Sequence, residues 1–299
     1  MISIVIPTYK RLSSLQKCLQ SVISQMTEEM ELVVVDDFSQ DGTKEYLQDL
    51  AGRYPAMKVS SNPQNQGVNY SRNRGIELVT KKFILFLDND DELVEGSLQK
   101  VQQTLRRFST TKHFLFLVSD RAGEFKDIQE EKKIYYEEWI GGKVSGDFTH
   151  VVLSEVMKKY PFFEEFRLYE HLNWLRIKKE TSPQLMIPFV VAERDRDRSD
   201  SLTASAKLKN KSVIQSKFEA EKVYYSMYHA DLRKHNPKSL TTNLLHTIAL
   251  GMACNRKGDC ETMIRYTDKN WIKVLGRLIM LMPSSLLLYG VTRYSALKG

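Results

Sequence analysis

The sequence predicts an α/β fold with a mainly parallel sheet and helices on both faces, followed by a helical C-terminal region. Three observations carry this. Short apolar, β-rich runs at residues 2–7, 31–35 and 82–87 read as buried strands rather than half-exposed ones. Segments with helical apolar spacing lie between them, so strand and helix alternate. From about residue 205 the pattern is helical to the end.

Taken in order, residues 2–7 form the first strand, closed by Pro7. Residues 11–26 carry Leu12, Leu15, Leu19, Val22 and Ile23 at helical spacing. The second strand, 31–35, ends in Asp36-Asp37, and a helix is expected over 39–50 with Ser39 as its cap. A weaker strand near 57–60 and a helix over 69–80 precede the third clear strand, 82–87, which ends in Asp88-Asn89-Asp90-Asp91. A helix over about 95–107 and a strand over 113–119 follow. Residues 121–150 are polar and loop-rich, with Gly141-Gly142 and Gly146, and 154–178 look helical around a break at Pro161. In open parallel sheets ligands bind beyond the carboxyl ends of the strands. The unusual polar residues occur at those ends: Thr8-Tyr9, Asp36-Asp37 and the Asp88 to Asp91 run. No GxGxxG follows any of these strands, which argues against a standard dinucleotide fold.

Composition narrows the class. A chain of 299 residues with 42% hydrophobic and 27% charged residues buries a sizeable core. Its three cysteines (Cys18, Cys254, Cys260) form no CxxC pair and no even set, so a disulfide framework is not expected. Residues 1–7 lack a basic leader, and a cytoplasmic location is the expectation. The net charge of +7 is uneven: from Ser205 onward there are 16 Lys+Arg against 6 Asp+Glu. That asymmetry suggests an anionic partner for the C-terminal part, or a lysine-rich solvated helical surface. With no zinc-finger spacing, no RNP-like motif and no low-complexity basic tail, nucleic acid is not the expected partner.

Four motifs carry a resemblance. Ile4-Val5-Ile6-Pro7-Thr8-Tyr9, Val34-Val35-Asp36-Asp37-Phe38-Ser39-Gln40-Asp41-Gly42-Thr43, Asn65-Gln66-Gly67-Val68-Asn69-Tyr70-Ser71-Arg72-Asn73-Arg74-Gly75-Ile76 and Phe86-Leu87-Asp88-Asn89-Asp90-Asp91 resemble the family 2 glycosyltransferases of GT-A fold, of the kind that builds bacterial surface polysaccharides. The likeness is close to about residue 110 and looser to about 205. It implies an inverting hexosyltransferase that uses a nucleotide-sugar and Mn²⁺ or Mg²⁺. It further implies that Asp90 ligates the metal, with Asp88 as a second metal or sugar contact. Asp36 and Asp37 would read the base, Asp37 at the uracil edge, with Thr8 and Tyr9 flanking the nucleoside. Pro7, Arg11, Asn69, Arg72 and Asn89 would be further donor contacts. Independently of the resemblance, carboxylates as close as Asp88, Asp90 and Asp91 repel one another unless a cation or solvent compensates. A hard cation held by carboxylate and diphosphate oxygens would neutralise the leaving group. The competing reading of this run is an acidic turn capping the next helix. Arg72 would pair with diphosphate, with donor sugar or with the acidic run.

Glu170-His171-Leu172-Asn173-Trp174-Leu175-Arg176 looks like the family's later helix, usually E-D-x-x-L-x-x-R, whose aspartate commonly serves as general base. Here His171 stands at that position. Imidazole is chemically acceptable as a base near neutral pH, and Glu170 is its rival. Residues 193–202, with alternating charges, sit where related enzymes have a loop that closes over the donor.

The expected organisation is a catalytic domain over 1–204, with donor binding in 1–110 and the acceptor side in 111–204, and a basic helical region over 205–299. The acceptor implied by charge and resemblance is a glycan, lipid-linked, at the inner face of the cell membrane. Residues 271–294 are apolar but interrupted by Arg277 and Pro283. They fit a broken amphipathic hairpin in the membrane interface better than a spanning helix. Packing on the catalytic domain, or between two copies in a homo-oligomer, is the competing reading. Two other functions remain open at this point. One is an inactive nucleotide-sugar-binding module, allowed by the missing aspartate. The other is a sugar nucleotidyltransferase, disfavoured because residues 1–20 contain no glycine.

Overall fold

A computed structural model describes residues 1–125, 128–166, 169–194 and 211–297. The chain divides into two compact units, Met1–Tyr136 with Ser145–Asp197, and Glu137–Val144 with Arg198–Gly299.

The first unit is built on β1 (Ile2–Thr8), α1 (Leu12–Ile23), β2 (Met30–Asp36), α2 (Thr43–Arg53), β3 (Met57–Ser61), α3 (Val68–Leu78) and β4 (Phe83–Phe86). These alternate as expected, and β3-β2-β1-β4 pair in parallel. Next come β5 (Asp91–Leu93), α4 (Ser97–Arg107), β6 (His113–Val118) and β7 (Lys132–Ile134). After the short α5 (Tyr136–Ile140), the unit resumes with β8 (Thr149–Leu153), α6 (Ser154–Lys159), α7 (His171–Glu180) and β9 (Gln184–Arg194). The sheet order is β3-β2-β1-β4-β8-β6-β9-β5, with β7 also on β9.

The near-continuous apolar strands follow from burial on both faces. Alternate side chains of one strand enter different layers. Ile2, Ile4 and Ile6 pack with Leu15, Leu19 and Val22 of α1 and Val101 of α4. Val5, Val33 and Val35 pack on the other side with Ile76 of α3 and Ile177 of α7. Gly75 is required here, because a Cβ would lie 2.4 Å from Val5 Cγ1 and push α3 off the sheet. Gly67 opens α3 at φ 95°, a conformation costly for other residues.

The structure departs from the sequence reading in four places. The sheet is mixed beyond β4, because β8 enters antiparallel between β4 and β6. Residues 149–153, of which 149–150 read as loop and 151–153 carry no assignment, form that strand. Residues 184–194, to which the sequence reading assigns no strand, form β9, with Pro188 accommodated where the β6–β9 register shifts. Ser39 is no helix cap: α2 starts after Gly42, while Ser39 Oγ accepts from the Lys10 amide at 2.8 Å.

The second unit consists of α8 (Lys211–His235), α9 (Pro237–Ala253), α10 (Lys257–Ile264), α11 (Asn270–Leu281) and α12 (Ser284–Leu297), joined by the segment Glu137–Val144. Asn236 caps α9 by accepting from the Ser239 amide at 3.1 Å, with Pro237 in the first turn. Among the described residues no single helix is long and apolar enough to cross a membrane. Asn270–Leu281 and Ser284–Arg293 reach that length only together, and they are bent by 110°.

Candidate active site

Parallel pairing brings the carboxyl ends of β1, β2 and β4 to one edge, with Thr8 level with Asp36. The polar residues there divide into a buried frame and a more open surface. Asp37 is 3% exposed, and its carboxylate accepts from Asn62 Nδ2 (2.8 Å), the Gln66 amide (2.8 Å) and the Gly67 amide (2.7 Å). Asp36 is also buried and accepts from the Ser39 amide at 3.1 Å. Burial pushes its carboxyl upward, against the bonds from Ser39. Asn89 Nδ2 donates to Thr8 Oγ1 at 2.8 Å, tying the end of β1 to the acidic turn. Pro7 lies within buried β1.

Tyr9, Arg11, Asp88 and Asp90 are more open. Arg11 is ion-paired with Asp90. Arg72, from the first turns of α3, places Nη2 2.8 Å from Asp88 Oδ1 and Nη1 2.6 Å from Glu170 Oε1. Its Nε is buried without a hydrogen-bond partner among the described residues. Burial works against ionisation of Asp88, but Arg72, then Arg194 and Arg11, hold its carboxyl below the ordinary value. Asp91 behaves oppositely. Burial, then the neighbouring Asp88 carboxylate, push it up to about 7 despite Arg194 at 3.3 Å.

No group of three or more His, Cys, Asp or Glu among the described residues is disposed to hold a metal. The acidic run meets guanidinium groups instead. Asp88 and Asp90 remain hard oxygen donors at the more open part of the edge. Such a pair fits Mg²⁺ or Mn²⁺ when donor phosphates complete the shell, the usual mode for Mg²⁺.

Helix α7 is held from beneath. Trp174 stacks on His150 at 3.8 Å and meets Phe86 edge-on at 5.9 Å. His150 Nδ1 lies 2.8 Å from His113 Nε2, and burial drives both imidazoles well below their ordinary pKa, so the pair is neutral. The approach to α7 is held by α3. Asn69 Nδ2 donates to the Phe163 and Phe166 carbonyls (2.8 and 3.1 Å), and Asn73 bonds Phe162 through both its carbonyl and its amide. This places Glu170 at the N-cap of α7, against Arg72. His171, one residue later, is exposed, with Tyr169 edge-on at 6.2 Å.

The structure thus joins Arg11 to Asp90, and Arg72 to both Asp88 and Glu170, through direct ion pairs. Thr8, Asp36, Asp37, Asn69 and Asn89, expected as donor contacts, line the same edge from within the protein. These are buried and bonded to the protein, because strand ends and the α3 approach crowd them. Glu193 and Arg194 belong to β9, whereas 195–202 of the expected closing loop lie outside the described residues. Two features escaped the sequence reading. Arg194 reaches Asp91 and Asp147, each at 3.3 Å, which required β9 to be recognised as a strand. Phe38, 41% exposed, takes a left-handed φ of 69°, and no sequence signal marks that conformation.

Residues 3–137 match the family described as glycosyl transferase family 2. A curated relative is the GalNAc(5)-diNAcBac-PP-undecaprenol beta-1,3-glucosyltransferase of Campylobacter jejuni, 29% identical over 210 residues, covering 68% of this chain and 68% of that protein. Among solved structures, S. aureus TarS 1–349 in complex with UDP-GlcNAc superposes with a TM-score of 0.62 at 14% identity, covering 98% of this chain and 90% of that one. The mannosyltransferase PcManGT of Pyrobaculum calidifontis, in complex with GDP-Man and Mn²⁺, gives 0.57 at 14% identity, covering 99% and 86%. The mixed sheet with its carboxyl-end acidic edge, the four motifs and these likenesses agree: residues 3–137 form a glycosyl transferase family 2 domain, the fold is GT-A-like, and the chain is similar to enzymes of that class.

Proposed function

We propose that this chain transfers a sugar, with inversion, from a UDP-hexose or UDP-N-acetylhexosamine to a lipid-linked glycan acceptor in surface polysaccharide assembly, at the cytoplasmic face of the membrane. The observation that carries the reading is the Arg72 bridge between Asp88 and Glu170. It joins a carboxylate at the donor-side strand end to a carboxylate able to take a proton. The UDP-GlcNAc complex of TarS supports the donor class, and the undecaprenol-linked substrate named for the C. jejuni relative supports the acceptor class.

In this mechanism the acceptor hydroxyl attacks the anomeric carbon while the bond to the β-phosphate oxygen breaks, and UDP leaves with that electron pair. Glu170 takes the hydroxyl proton as general base, a role in which it replaces His171 because it alone of the two faces Arg72. Arg72, with its free Nε–H, and Arg11 meet negative charge on the diphosphate. Asp88 and Asp90 would hold Mn²⁺ or Mg²⁺, which supplies charge neutralisation at the leaving group. Tyr9 offers its ring to the base or ribose, while Asp37 acts one step removed, fixing the loop through Gln66 and Gly67. The bent α11–α12 pair provides contact with the membrane.

The test is incubation of the full chain with a panel of nucleotide-sugars, Mn²⁺ and an undecaprenyl-diphosphate oligosaccharide, following nucleoside diphosphate release and product anomeric configuration. UDP release with inverted product is expected. Retention of configuration, or no release from any UDP-sugar, overturns the proposal.

A further inference from the structure

The C-terminal unit presents an inverted helix. In α11, Ile272 and Gly276 are buried, with Gly276 set against Ile248 of α9 and Ile264 of α10. At roughly 100° per residue, the residues on nearly the opposite side are Trp271, Val274, Leu278 and Leu281. These are 55%, 55%, 53% and 79% exposed. A surface helix of a soluble protein carries polar residues there. The apolar ridge continues beyond the bend through Leu286 and Tyr289.

A second, independent feature flanks that ridge. Lys257 and Arg265, on and just after α10, and Lys273 and Arg277 of α11 line one open groove of ≈ 630 Å³, with Glu261 its one lining carboxylate and Leu281 at its edge. None of these four side chains makes an ion pair or hydrogen bond with any described residue. Several basic side chains elsewhere in the unit are paired: Arg233 with Asp268, Arg256 with Glu219, Lys222 with Glu219. Four unpaired cations thus share one groove, next to exposed hydrocarbon.

We propose that this groove binds the phosphates of anionic lipid headgroups while the ridge of Trp271, Leu278 and Leu281 enters the interfacial layer. This deepens the membrane contact proposed above by naming the lipid chemistry and the residues that select it. A bilayer supplies both needs at once: hydrocarbon for the ridge, and fixed negative charge for four cations. A second copy of the chain does not. A two-fold interface through this face would bring two such basic grooves to the rim of the same contact, like charge beside like charge.

Full-length protein is sedimented with phosphatidylcholine vesicles with and without phosphatidylglycerol, at low and high salt. Strong, salt-sensitive binding only to the phosphatidylglycerol vesicles is expected. Arg265→Gln with Arg277→Gln lowers that partition roughly 20- to 30-fold, as the loss of two interfacial charges predicts. Leu278→Ser with Leu281→Ser abolishes it. Lys273→Glu replaces the arginine pair if that variant loses its thermal transition. Equal binding to both vesicle types, or unchanged binding by the arginine variant, overturns the proposal. So does a lipid-free dimer that Leu278→Ser with Leu281→Ser dissociates and that ignores vesicles. UDP release, measured without lipid, stays at the wild-type level in these variants. A failure here and a failure of the transfer reaction therefore give different results.

Discussion

Arg72 Nη1 lies 2.6 Å from Glu170 Oε1, so the side chain that holds the strand-end carboxylate Asp88 also holds the N-cap residue of α7. Planar guanidinium geometry allows one cation to serve two carboxylates in different directions, which an ammonium group does poorly. Arg72→Lys should retain the fold but lower kcat by about 10²-fold, since a displaced general base costs that order. The measurement is kcat against the thermal midpoint. Unchanged kcat would reduce the bridge to a structural tie.

Glu170 and His171 make opposite predictions. Glu170→Gln should lower kcat by about 10²–10⁴ with little change in UDP affinity, while His171→Ala changes kcat only a few-fold. The reverse pattern would assign the base to His171.

Asp90 is paired with Arg11 and is among the more open members of the acidic run. Asp90→Asn should abolish transfer and weaken UDP binding in the presence of Mn²⁺, leaving metal-free UDP binding unchanged. Calorimetric titration with and without the metal reads this directly. Wild-type turnover by a folded variant would end the metal assignment.

Glu31 predicts an acid limb of stability. Burial alone would raise its carboxyl. Bonds from Lys58 (2.8 Å), Ser3 (2.6 Å) and Thr80 (2.5 Å to its amide) instead pull it from 4.5 to about 2. Because the folded value lies below the unfolded one, the stabilisation is present above about pH 4.5 and is lost as pH falls towards 2. Its ceiling is about 3 kcal/mol by the pKa difference. Glu31→Gln should lower stability at neutral pH and flatten this limb in denaturant melts. An unchanged slope would remove Glu31 as its source.

The sequence by itself determined the alternating strands and helices of residues 1–118, the edge where polar residues collect, and the family resemblance. Those follow from local causes: apolar runs buried on both faces, helical spacing, and strand ends that leave the sheet at Asp36 and Asp88. Tertiary structure decided what local pattern cannot carry. Whether β8 enters antiparallel depends on β4 and β6 already standing beside it. Pro188 reads as a strand breaker until the β6–β9 irregularity gives it a place without a ladder bond. That Gln66 and Gly67, 29 and 30 residues away, donate to Asp37 is visible only in the fold. Which of Glu170 and His171 meets Arg72 is a rotation of one residue at a helix start. It was set by Trp174 on His150 and by the α3 asparagines, distant contacts that decide which of two neighbouring side chains meets Arg72.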